Sequence, residues 1–165
     1  MNTKLNALIT ATFAACAGSA IAATTPADRE FATTAARANA AEIAIGRLAA
    51  THSQDANVKA FGQRMVDDHS KAADGLKAAA AEDGIALPPA LTDNADADKL
   101  GRLQGTEFDR AFGNQMRADH DKAVALFRKE SEASGDAHVK AFAAATLPTL
   151  EEHQKMAQSL PGASK

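Results

Sequence analysis

Four segments of this chain space their seam residues three or four apart, and that repetition decides what the chain can fold into. Phe31, Ala35, Ala38, Glu42, Ile45, Ala49 and His52 stand 4, 3, 4, 3, 4 and 3 residues apart, which keeps them on one stripe of an α-helix. Val58, Gly62, Met65, His69, Ala72, Leu76 and Ala79 repeat the pattern. Phe112, Met116, His120, Ala123 and Phe127 keep to a stripe at spacings of 4, 4, 3 and 4, and Val139, Phe142, Thr146, Thr149, His153, Met156 and Leu160 alternate 3 and 4 again. A strand would need a period of two, and the β-branched and aromatic residues that strands favour are scarce: alanine supplies much of the 45% hydrophobic content, and Trp and Tyr are absent. The expected fold is all-α, a four-helix bundle in a single domain over residues 23–165.

Boundary signals agree with the spacing. In "TTPADREF" Thr25 can cap, Pro26 suits the first turn and Asp28 sits where a reciprocal capping carboxylate belongs. "SQDAN" breaks the first pattern. Gly84 is placed to close the second helix in the left-handed conformation. A long connection then runs to about Asp109; Pro88 and Pro89 interrupt it, although "NADADKLGRL" can form a short helix. Pro148 falls inside the fourth helix, one turn before His153, where a kink is expected. "VKAF" opens both the second and the fourth helix, a weak internal echo.

The first 22 residues are different in kind. Lys4 is the only charge before Asp28, the stretch from Leu5 to Ala22 is apolar, and "AIA" at Ala20 to Ala22 offers the small residues a signal peptidase needs. The expectation is a cleaved secretory signal over 1–22 and an exported, periplasmic protein with no transmembrane helix in the mature chain. Cleavage would remove Cys16, the single cysteine. The alternative is a lipoprotein site at "FAAC", with Cys16 carrying the lipid anchor. Eighteen basic and 21 acidic residues are interspersed along the chain, for a net charge of −3. No basic stripe is available for a nucleic-acid backbone.

Each helical stripe carries one residue foreign to an apolar core: Glu42, His69, His120 and His153. Measured from turns near residues 55 and 136, they lie 13, 14, 16 and 17 residues away. At ~1.5 Å per residue all four sit roughly 20 to 26 Å from the turns, near the middle of their helices. Three imidazoles and a carboxylate converging there make a first shell for one transition-metal ion, Zn, Fe, Cu or Mn; the nitrogen content disfavours Ca and Mg. Asp68, Asp119, Asp121 and Glu152 flank the histidines and are candidates to accept the N–H that each metal-bound imidazole leaves over. Asp67 and Glu151 should face water. His52 and His138, near turns, are expected at the surface, and Met65, Met116 and Met156 are expected to fill core beside the histidines.

The stretches "FATTAARANAAEIAIGRLA", "VKAFGQRMVDDH", "LQGTEFDRAF" and "LPTLEEH", over roughly residues 27–160, together resemble the bacterial domain of unknown function 4142. The resemblance implies an exported, ferritin-like four-helix bundle and no assigned reaction. Ferritin di-iron centres use ExxH pairs. Here Val66, Arg117 and Leu150 stand three residues before His69, His120 and His153, so ferroxidase activity does not carry over. No nucleophile motif or phosphate-binding glycine loop appears, and no catalytic residue is assigned. Two functions compete: a metal-binding bundle that stores, scavenges or protects against envelope stress, and a metal-free, non-enzymatic partner-binding module whose buried polar residues only set helix register.

Overall fold

The computed structural model describes residues 24–89, 94–132 and 135–162. The expected leader over 1–22, Cys16 with it, lies outside the described residues. Among those described there are five helices and no strand: α1 (Pro26–His52), α2 (Ala56–Glu82), α3 (Ala95–Leu100), α4 (Gly105–Glu132) and α5 (Ala137–Ala157).

Side chains start these helices by taking up the N–H groups that a first turn leaves without partners. The Asp28 amide donates to Thr25 Oγ1 at 3.3 Å and the Thr25 amide donates to Asp28 Oδ2 at 2.7 Å, the reciprocal box expected for α1. Asp55 caps α2, Asn94 caps α3 and Asp136 caps α5. Gly84, at φ 61°, closes α2 in the left-handed region as expected. Two boundaries differ from expectation. Helix α4 begins at Gly105, four residues before Asp109, because a glycine at φ 55° turns the chain straight into it. Helix α5 passes through Pro148 but ends at Ala157, so Leu160 packs from the segment beyond it. Arg117 on α4 holds that end of α5, donating to the carbonyls of Ala157 at 2.9 Å and Leu160 at 3.1 Å.

Two apolar clusters fix the helix directions. One gathers the start of α1 (Phe31, Ala35), the end of α2 (Leu76, Ala80), the end of α4 (Val124, Phe127) and the start of α5 (Val139, Phe142). The other gathers the end of α1 (Ile45, Ala49), the start of α2 (Val58, Phe61, Met65), the start of α4 (Phe108, Phe112, Met116) and, past α5, Leu160. Hence α1 and α5 run one way, and α2 and α4 the other. The connection between α2 and α4 returns from the first cluster, where Ile85 is buried, to the second, where Leu100 of α3 is buried. Helices α1 and α2 meet closely enough that a Cβ on Gly46 would lie 2.7 Å from the Gly62 carbonyl oxygen, so glycine is required on both sides of the crossing. No described helix is long and apolar enough to cross a membrane.

Candidate metal centre

The two clusters leave a polar layer between them. On α1 it holds Asn39 and Glu42, on α2 His69, on α4 His120 and on α5 His153, all buried. One turn of spacing sets this depth on α2 and α4: His69 follows Met65 and His120 follows Met116 by four residues, and both methionines are fully buried in the neighbouring cluster. The three imidazoles meet as a triangle. Ring centroids are 5.8 Å apart for His69 and His120, 5.5 Å for His69 and His153, and 5.3 Å for His120 and His153. One ring nitrogen from each lies within 4.8 Å of the others. Phe61 meets the rings of His120 and His153 edge-on, each at 6.2 Å, and bounds the triangle on the side of the second cluster.

Each imidazole is held by one oxygen acceptor. His69 Nδ1 lies 2.9 Å from Asn39 Oδ1, His120 Nδ1 lies 2.8 Å from the Met116 carbonyl oxygen, and His153 Nε2 lies 3.0 Å from Asp68 Oδ2. A carbonyl or carboxylate only accepts, so the bonded nitrogen carries the proton and the other carries a lone pair. Those others are His69 Nε2, His120 Nε2 and His153 Nδ1. All three are buried with no hydrogen-bond partner among the described residues. Burial, reinforced by the facing imidazoles, pushes His69 down to about 3 and His120 down to about 4, and burial lowers His153 as well. Near neutral pH the triangle is three neutral imidazoles, each with one lone pair left over, the protonation state that metal coordination requires.

Glu42 is not one of the three converging groups but lines a cavity of about 260 Å³ together with Asn39, His69 and His120. Its Oε2 is buried without a partner among the described residues. Burial, and then the negative charges of Asp119 and Asp96, push its carboxyl up to about 8. On the opposite side a second cavity, of about 250 Å³ between α2 and α5, reaches His69 and His153.

The flanking acids divide. Asp68 is the one that meets an imidazole, and it serves His153 across the α2/α5 contact rather than its chain neighbour His69. Burial opposes its ionisation, yet hydrogen bonds from His153, Arg64 and Lys71 hold Asp68 below its ordinary range. Asp119 pairs with Gln115 at 2.6 Å, Asp121 with Gln154 at 2.7 Å and Glu152 with Arg64 at 2.7 Å. Arg64 thus bridges Glu152 to Asp68 and supports His153 at one remove.

Asn39 was not legible as a site residue, because the 4,3 count puts Ala38 on the stripe; the structure exposes Ala38 and buries Asn39. A polar residue four positions after Ala35 and three before Glu42 was the available signal. His52 and His138 are half-buried rather than plainly superficial: His52 lies 3.1 Å from the Gly101 carbonyl oxygen through Nε2, and His138 lies 2.6 Å from Asp83 through Nδ1. Asp67 and Glu151 are exposed, as expected.

A family model described as domain of unknown function (DUF4142) matches residues 14–160, and the chain belongs to that family. No curated protein matches the sequence. Solved structures share the fold at low identity. A DUF305 fragment from Deinococcus radiodurans superposes with a TM-score of 0.69 at 16% identity, covering 82% of this chain and 95% of its own. A DUF305 protein from Streptomyces coelicolor, described as secreted, gives 0.66 at 15%, covering 79% and 88%. A Bacillus halodurans protein with a spore-coat description gives 0.65 at 16%, covering 82% and 87%.

Proposed function

We propose that this DUF4142 protein is an exported, ferritin-like four-helix bundle, one domain over residues 23–165 after loss of a signal over 1–22, that holds one transition-metal ion mid-bundle. Its role is to store or scavenge that ion in the periplasm. His69, His120 and His153 are the ligands, and Glu42, across the shared cavity, is the fourth. Asn39, the Met116 carbonyl and Asp68 orient the rings.

A single observation carries the reading: three buried imidazoles bring one nitrogen each within 4.8 Å of the others, and each ring keeps one nitrogen with a lone pair and no partner among the described residues while the other is held. Each unsatisfied buried group costs about 1–3 kcal/mol, so three together cost about 3–9 kcal/mol, a large part of a domain's net stability of about 5–15 kcal/mol. A metal ion relieves all three at once. Three nitrogens and one carboxylate suit Zn, Fe, Cu or Mn, and leave no place for the four-carboxylate cage of a di-iron oxidase.

Elemental analysis of untagged protein carrying Asp83→Asn, which leaves the three histidines untouched, should find about one equivalent. Adding His120→Ala should remove it while the far-ultraviolet circular dichroism stays helical; retention of that equivalent in the double variant rejects the assignment. The competing, metal-free module is favoured by the Arg64 pairs with Asp68 and Glu152, which tie α2 to α5 without an ion. It predicts identical melting before and after chelation.

A further inference from the structure

At the end of the molecule where α2 stops and α5 starts, a second group of ligand-type side chains converges. Asp83 is the residue after α2, Asp136 is the N-cap of α5, and His138 is in the first turn of α5. One donor atom from each lies within 4.8 Å of the other two. The carboxylates are covered: the Asp83 side chain is 5% exposed and that of Asp136 is 2% exposed. Asp136 is spoken for on the chain side. Its Oδ1 accepts the His138 and Val139 amides at 2.8 and 3.2 Å, and its Oδ2 accepts the Thr24 hydroxyl at 2.9 Å. Asp83 Oδ1 lies 2.6 Å from His138 Nδ1, the Asp83 carboxyl is hydrogen-bonded with that of Asp136, and Asp83 Oδ2 is buried with no N–H donor among the described residues.

We propose that Asp83, Asp136 and His138 form a second site for a borderline divalent cation such as Zn2+ or Mn2+, which clasps the end of α2 to the start of α5. Two carboxylates held against one another need either a shared proton or a cation between them, and the ion would take the place of the proton that Asp83 and Asp136 share and of the one that His138 Nδ1 holds against Asp83, releasing both to solvent. The imidazole at their side selects among cations: Ca2+ and Mg2+ take oxygen donors, whereas Zn2+ and Mn2+ accept a mixed oxygen and nitrogen set. Carboxylate oxygens keep lone pairs after accepting one hydrogen bond, so Asp136 can cap α5 and ligate together. The end of α2 favours positive charge through its helix dipole, and Asp136 already covers the opposing end of α5. Through Thr24 the site also reaches the segment leading into α1, so one ion would join three parts of the chain.

The site is independent of the three-histidine centre, and the test separates them. Chelated His120→Ala protein, which lacks the first centre's ligand, is titrated with ZnCl2 in a calorimeter. One equivalent should bind. The double variant His120→Ala, Asp83→Asn should bind none, and a second double variant with His138→Gln should bind at least tenfold more weakly. No heat of binding in His120→Ala, or an unchanged equivalent in both double variants, overturns the proposal. Should Asp83→Asn fail to fold, the His138→Gln result decides alone, since His138 is partly exposed. A wild-type protein that takes up only one equivalent, lost on His120→Ala, would refute this second site and leave the first intact.

Discussion

Replacing Glu42 by Gln should change how the metal-free protein responds to pH more than how stable it is at any one pH. In the folded protein this carboxyl titrates at about 8 against an ordinary 4.5. Between those values the folded state keeps a proton that the unfolded state has released, so stability is lost as pH rises towards 8. From pH 5 to 7.5 the loss integrates to about 3 kcal/mol. The histidines act in the opposite sense. His69 and His120, held at about 3 and about 4 against an ordinary 6.5, stay neutral when the unfolded chain takes up protons. Acidification from pH 7.5 to 5 therefore destabilises by about 2 kcal/mol for each, or about 4 kcal/mol for the pair. Lowered His153 adds to that loss. In the wild type the two trends largely cancel. Glu42→Gln removes the carboxyl and exposes the imidazole trend alone. Urea denaturation of chelated protein at pH 7.5, 6 and 5 should show the variant losing about 3 kcal/mol more than the wild type on acidification from 7.5 to 5. Parallel behaviour of the two proteins would refute the placement of a protonated carboxylic acid in the polar layer.

Other consequences follow from the same geometry. Adding the native metal to chelated protein at about a hundred times its dissociation constant should raise Tm by about 5–10 °C, from roughly 2.7 kcal/mol of linkage and a shift of about 2–4 °C per kcal/mol; differential scanning calorimetry reads it. Asn39→Ala and Asp68→Asn, which leave the metal-facing nitrogens in place, should each weaken metal affinity by about 10–100-fold without abolishing it, measured by competition with a chromogenic chelator. Gly62→Ala should destabilise by at least about 1–3 kcal/mol, because its Cβ would strike Ala49 and the Gly46 carbonyl on α1; a chevron or thermal melt checks it, and an unchanged Tm would contradict the close crossing.

The helices and the depth of the centre were legible because both depend on counting. A 4,3 spacing marks a buried stripe, and rise per residue converts position into height, so His69, His120 and His153 could be placed at one level before any coordinates. Finer features depend on angle. A residue one position before a histidine points about 100° away from it around the helix, which is why Asp68 serves His153 on α5 while Asp119 and Glu152 bond to Gln115 and Arg64. The choice of Asn39 over Ala38 rests on the same margin. Phe61, buried one position before Gly62 on the same helix, shows that the interior stripe is wider than a two-in-seven seam. The short α3 was legible from "NADADKLGRL", whereas the start of α4 at Gly105 depends on a left-handed glycine that spacing alone does not reveal.

X-ray absorption on protein loaded with one equivalent of zinc, in an Asp83→Asn background that removes the second candidate site, examines the centre itself. Three imidazole nitrogens should appear at about 2.0–2.1 Å with the outer-shell scattering of histidine rings, alongside one oxygen ligand. A shell made of oxygen alone, or spectra unchanged by His120→Ala, would contradict the convergence of the three histidines on one ion.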